Sequence, residues 1–197
     1  GSGVRWIRNK GQVKFNESVV VLGAGAQGLA TIIAAREANA GAIIVIGREK
    51  MGLKWELARQ YGATHCIDLE QGGDPVQQVR EITSGRLGDV VVECTGNGKM
   101  MELGLDVVRP AGRYVMIGTC GFDRNPLTTD KIVFKEITVY GGLGQSWDTE
   151  PAVQIINSQK YAIEAMITQV FPLEQADEAM RFFMGNPDKA LRVAIRP

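Results

Sequence analysis

The stretch Val19-Val20-Val21-Leu22-Gly23-Ala24-Gly25-Ala26-Gln27-Gly28-Leu29-Ala30 limits this chain more than any other. Its opening apolar run, rich in β-branched residues, reads as a buried parallel strand. The chain then turns through three glycines into an alanine-rich helix, Leu29 to Ala38. Gly23, Gly25 and Gly28 stand at G-x-G-x-x-G spacing, and each glycine has its own task. Gly23 permits the tight turn, Gly25 lets a pyrophosphate approach the backbone, and Gly28 lets the helix pack closely on the strand. The positive end of that helix then faces the phosphates. A second strand at Ala42 to Ile46 completes the context, so the stretch reads as a dinucleotide cradle rather than as packing glycines alone.

A chain of 197 residues suits one large domain, or one domain with a small appendage. Basic and acidic residues balance at 22 each, which argues against an electrostatic binder of nucleic acid. No apolar run approaches the roughly twenty residues that a membrane helix requires, and no secretory leader is visible. Gly1-Ser2-Gly3 reads as a tag remnant. Cys66, Cys94 and Cys120 are far apart and near strands, so they read as buried thiols of a cytoplasmic protein.

Strand and helix signals then alternate. Val4 to Asn9 reads as a short amphipathic helix. Leu53 to Tyr61 forms a helix closed by Gly62, and His65-Cys66-Ile67-Asp68 a third strand. A helix opens at Pro75, and Asp89 to Cys94 is the fourth strand. Met100 to Val108 is a helix, and Gly112 to Ile117 the fifth strand. A loop with Pro126 leads to a sixth strand, Ile137 to Tyr140. Such alternation implies a Rossmann-type, doubly wound six-stranded parallel sheet, with ligands outside the carboxyl ends of its strands. Beyond it come a helix over Glu150 to Ser158, an extended piece at Met166 to Phe171, a helix over Leu173 to Met184 and a last strand, Leu191 to Ile195. The domain limits expected are 4–145 for the dinucleotide-binding unit and 146–197 for the tail.

Three further segments, 57–65 (LARQYGATH), 89–96 (DVVVECTG) and 107–118 (VVRPAGRYVMIG), follow the glycine stretch in order. With the tail 171–179 (FPLEQADEA), the series resembles the cofactor half of the medium-chain, zinc-dependent alcohol dehydrogenase superfamily, including its threonine and sorbitol dehydrogenases. The resemblance implies an oxidoreductase that moves a hydride between an alcohol or carbonyl substrate and NADP or NAD. It also implies an upstream GroES-like domain holding the zinc ligands, toward which Met166 to Phe171 and Leu191 to Ile195 would return. None of the residues here matches that domain, so the chain reads as a fragment without catalytic or metal-ligating residues, inactive by itself. His65 reads as a packed or solvated side chain. A stand-alone nucleotide-binding or sensing module is the alternative, and a methyltransferase of similar glycine turn is disfavoured by the later motifs.

On this resemblance Gly23, Gly25, Ala26, Gln27 and Gly28 seat the pyrophosphate. The place of the acidic residue that takes the adenosine ribose in NAD enzymes falls on Gly47 when counted forward from the glycines. Counted backward from Gly62-Ala63 it falls on Glu49. Gly47-Arg48 favours NADP, since a guanidinium pairs with a phosphate, whereas Glu49 favours NAD. The balance leans to NADP and NAD stays open. Lys54 is expected near the same ribose and Asp68 near the adenine. Cys94, Thr95 and Gly96 are expected to flank the nicotinamide-side ribose. Ile117, Gly118, Gly142 and Leu143 should wall the ring. Relatives of this kind pair through the sixth strand, so Phe134 to Gly142 is expected as a homodimer edge.

Overall fold

The computed structural model describes residues 1–48, 52–144 and 148–197. Its first helix, α1 (Ser2–Val4), runs on as a π-helical turn through Arg5–Lys10. Five βα steps and a sixth strand follow. They are β1 (Val19–Leu22), α2 (Ala26–Glu37), β2 (Ile43–Gly47), α3 (Leu53–Gln60), β3 (His65–Asp68), α4 (Pro75–Ile82), β4 (Gly88–Glu93), α5 (Gly98–Val107), β5 (Val108–Met116), α6 (Asp130–Phe134) and β6 (Thr138–Gly141). All the pairings are parallel, in the order β3-β2-β1-β4-β5-β6. The doubly wound sheet expected from the sequence is therefore present, and its order reverses between β1 and β4.

Alternation along β1 shows how the two faces are filled. Val19 and Val21 join a core with α1, α2 and α3, while Val20 and Leu22 join a second core with α4 and α5. Strands buried on both faces need apolar residues at every position, which is why the period-two signal is missing from the sequence. Trp6 and Ile7 fall inside the first core. Gly3 is buried too, and a Cβ there would lie 2.1 Å from the Ala30 carbonyl oxygen.

Three readings need correction. The fifth strand starts at Val108 instead of Gly112, directly after α5. Gly88 pairs with Val108 and Val90 with Arg113, so residues 109–112 bulge opposite Asp89. Pro110 thus sits where its missing N–H breaks no ladder bond. Second, part of the loop with Pro126 is a helix, α6. At five residues it is too short for periodicity, and Lys131 ties it to Glu102 (2.5 Å) and Asp106 (2.6 Å) on α5. Third, the expected edge Phe134 to Gly142 shrinks to β6, because Phe134 closes α6.

Past β6 come α7 (Thr149–Asn157), β7 (Ile167–Pro172), α8 (Ala176–Gly185) and β8 (Arg192–Arg196). β7 and β8 pair with each other in a separate parallel sheet of two strands. No helix of the described residues is long and apolar enough to cross a membrane.

The bulge carries an ion pair that fastens the amino ends of β1 and β4. Asp89 accepts hydrogen bonds from the Ser18 N–H (2.8 Å), the Ser18 hydroxyl (2.7 Å) and Arg109 Nε (2.6 Å). Burial opposes its charge, but these three partners outweigh burial and hold its carboxyl below the usual carboxylate range. A depressed native pKa gives stability that is fully present above the unfolded value of about 4 and is lost as pH falls through the native value. Asp89→Asn should therefore cost about 1–3 kcal/mol near neutral pH. In urea unfolding it should also flatten the acid limb of the stability curve.

Candidate functional site

One line of paired residues crosses the whole sheet. Ile67, Ile46, Leu22, Glu93, Met116 and Gly141 are successive register partners from β3 to β6. The residue following each of them is Asp68, Gly47, Gly23, Cys94, Ile117 and Gly142. All six belong to the set singled out from the sequence, and the parallel register brings them to one edge. A ligand lying along that edge meets every strand within a residue or two of its end.

At the centre, Gly23 turns with φ +93°, a conformation that side chains rarely adopt. A Cβ at Gly28 would lie 1.9 Å from the Gly23 carbonyl oxygen, so α2 rests directly on the turn. A Cβ at Gly25 would meet nothing within 4 Å, and the residue is exposed. The three glycines thus divide as expected, into turn, open approach and close packing. Gly25 precedes the first helical residue, Ala26, and no side chain caps α2. The first N–H groups of this 12-residue helix therefore face the open approach, where an anion is favoured. The Gln27 side chain turns away, accepting a bond from Trp6 Nε1 (3.4 Å).

Ala26 also lines a largely apolar cavity of about 570 Å³ with Ala179, Met180, Phe183, Arg192 and Ile195 of the tail. Arg192 escaped the sequence reading. It is one of several late basic residues, and only the fold of β7, α8 and β8 brings it to the cavity that holds the helix start.

On the β2 side, Gly47 is buried and Arg48 is exposed. Glu49 lies outside the described residues. Lys54 donates to the Pro187 carbonyl (2.6 Å), a tail contact that the sequence did not reveal. Burial lowers its ammonium below the usual range, with Asp188 acting the other way. Asp68 pairs in register with Gly47. Its Oδ1 accepts from the Glu70 N–H (2.9 Å), while Oδ2 is buried without a hydrogen-bond partner. His65 is exposed and shares a 2.9 Å contact with the Thr64 hydroxyl.

On the other side, burial first and Glu93 second push the Cys94 thiol far up, so it stays protonated. Thr95 and Gly96 turn over the Glu93 carboxylate, and Ile117 and Gly118 donate to the Glu93 carbonyl (both 3.1 Å). Leu143 is exposed, and Gly142 packs where a Cβ would meet the Trp6 ring at 2.3 Å. Glu93 itself was not singled out from the sequence, although an acid inside a valine run was a visible signal. Among the described residues no three His, Cys, Asp or Glu side chains converge where a metal ion could sit.

Comparison with known proteins agrees with this geometry. A family model described as zinc-binding dehydrogenase matches residues 26–158. A sorbitol dehydrogenase of Halalkalibacterium halodurans is 28% identical over 95% of this chain and 54% of its own length. An L-threonine 3-dehydrogenase of Pyrococcus abyssi is 35% identical over 84% of this chain and 48% of its own. Among solved structures, alcohol dehydrogenase TADH from Thermus sp. ATN1 superposes with a TM-score of 0.85 at 29% identity, covering 98% of this chain and 54% of that one. The chain spans about half the length of the curated relatives it matches. With the motifs, the strand order and the glycine turn all in place, the chain belongs to the zinc-binding dehydrogenase family.

Proposed function

We propose that this chain is the cofactor half of a zinc-type alcohol or polyol dehydrogenase, and that it seats a nicotinamide dinucleotide along the aligned strand ends. The observation that carries this reading is the open approach at Gly25, at the start of α2, beside the β1/β4 reversal. Open sheets of this order bind ligands at that point. Backbone N–H groups of Ala26, Gln27 and Gly28 receive the pyrophosphate, and Arg192 supplies a cation from the tail. Cys94, Thr95 and Gly96 flank the nicotinamide-side ribose, and Ile117, Gly118, Gly142 and Leu143 wall the ring. When bound, the nicotinamide accepts or returns the hydride of an alcohol–carbonyl couple. No zinc step is assigned to the residues of this chain, and by themselves they turn over no alcohol.

In this reading 4–145 is the dinucleotide-binding domain and 146–197 supports it. The tail leaves Ile167, Val170, Leu173, Met180 and Met184 exposed, a surface suited to packing on a substrate half. Two copies of the chain pair through β6, which exposes Val139 and is preceded by the exposed Val133 and Phe134. At micromolar concentration, sedimentation should give a dimer, and a monomer would refute this pairing.

For the adenosine end, Gly47 offers no side chain and Arg48 stands exposed beside it, which supports NADP. Asp68 favours NAD as a second reading, because its unpartnered oxygen sits at the same strand ends and would accept from a ribose hydroxyl. Calorimetric titration with both dinucleotides should show NADP bound about tenfold tighter, with Arg48→Glu reversing the order. Absence of binding at millimolar concentration would refute the seat itself.

The glycines separate binding from folding. Gly25→Ala should change stability by less than about 0.5 kcal/mol, because its Cβ enters open space, yet weaken the dinucleotide about tenfold. Gly28→Ala should cost about 2 kcal/mol or more from overpacking, measured by thermal unfolding without ligand.

A further inference from the structure

Glu93 is fully buried at the carboxyl end of β4, beneath the loops that follow β4 and β5. Its Oε1 accepts from the Thr95 N–H (2.6 Å), the Thr95 hydroxyl and the Gly96 N–H (3.1 Å). Oε2 lies 3.4 Å from the same Gly96 nitrogen. Its backbone carbonyl takes the N–H groups of Ile117 and Gly118. A single residue therefore holds both loops. They touch without a side chain between them, since a Cβ at Gly118 would lie 2.1 Å from the Gly96 nitrogen and 2.4 Å from Glu93 Oε2.

Clamping these loops needs acceptors, and a neutral glutamine oxygen would supply one. A carboxylate adds a charge, buried where it is costly. Among the described residues no lysine or arginine forms an ion pair with it. Its backbone partners are N–H groups, which can only donate, and its carboxylate oxygens accept from them. The neighbours feel it. After burial, Glu93 is the next largest cause that pushes up both the Cys94 thiol and the Tyr114 phenol. The residues that Glu93 bonds are Thr95, Gly96, Ile117 and Gly118, and the oxidised nicotinamide ring is a cation while the reduced ring is neutral.

We propose that Glu93 is a positioning residue that also selects oxidation state, its buried carboxylate favouring the cationic, oxidised dinucleotide over the reduced one. The inference rests on the dinucleotide seat proposed above and goes beyond it by assigning a redox preference to one side chain. It also accounts for the donors used up inside the loop. With the Thr95 and Gly96 N–H groups turned onto Glu93, this end of the edge offers little to an anion, while the anion seat lies at α2.

The test is calorimetric titration of the wild-type chain and Glu93→Gln with the oxidised and reduced forms of one dinucleotide. Glu93→Gln should lower the affinity for the oxidised form relative to the reduced form by about fivefold or more. Glu93→Asp, which keeps the charge, should hold the wild-type ratio within about twofold. Met116→Lys gives an independent variant, because Met116 is the register partner of Glu93 on β5 and an ammonium there offsets the charge without removing an acceptor. It should shift the ratio in the same direction as Glu93→Gln. An unchanged ratio in folded Glu93→Gln or Met116→Lys, including parallel weakening of both forms, overturns the selection and leaves Glu93 a structural clamp. Failure of the wild-type chain to bind either form overturns the seat itself, and the selection with it.

Discussion

The contact between Gly28 and the Gly23 carbonyl sets the geometry on which the edge depends. With no Cβ between them, α2 begins against the end of β1 instead of several ångströms away. A larger residue would lift the helix, and its first N–H groups would leave the opening at Gly25. The same approach carries Leu29, Ile32 and Ile33 onto the sheet, where all are buried. Burial of each such side chain contributes about 1.5–3 kcal/mol. The packing of α2 and the opening at Gly25 are thus one arrangement, stabilised by apolar burial.

Register extends that arrangement sideways. Parallel pairing aligns Ile67, Ile46, Leu22, Glu93, Met116 and Gly141, so a short motif at the end of each strand is enough to build a site from distant parts of the chain. This explains why so much of the edge was legible in the sequence. Gly47, Cys94, Ile117 and Gly142 could be placed by locating where apolar runs stop. Features that depend on side chains meeting across the fold were not legible. Arg109 is an ordinary basic residue until the bulge sets it on Asp89, and Lys135 is another until α6 brings it to the carbonyls of Leu105, Asp106 and Val108. Residues 130–134 give no helical period in five positions. Arg192 and the Lys54–Pro187 contact needed the tail to be folded before they had a meaning.

The two counts toward the adenosine end also have a physical explanation. Gly47 is the last residue of β2 and pairs with Asp68, so the forward count from the glycines runs through elements fixed by the sheet. The backward count from Gly62 passes through α3, which starts at Leu53. Extra residues between β2 and α3 shift one count without disturbing the other, because they lie outside both elements. A loop in that position can change length, and with it the groups it presents to a ribose or phosphate, at little cost to the fold.

Charge is distributed along the edge in a corresponding way. Positive potential gathers where α2 begins, from unpaired N–H groups and from Arg192 in the adjoining cavity wall. Negative potential gathers one strand away, where Glu93 lies beneath the β4 and β5 loops. Such separation could not be maintained in open solvent, where a Debye length of about 8 Å screens isolated surface charges. Here the carboxylate is buried, and its donors are two backbone N–H groups and the Thr95 hydroxyl instead of a mobile counter-charge. A dinucleotide laid along the edge has the same polarity, anionic at its pyrophosphate and cationic at an oxidised ring. In the proposed seat, the fold would meet that ligand with two fields of opposite sign, and only the ring end would change its charge during hydride transfer.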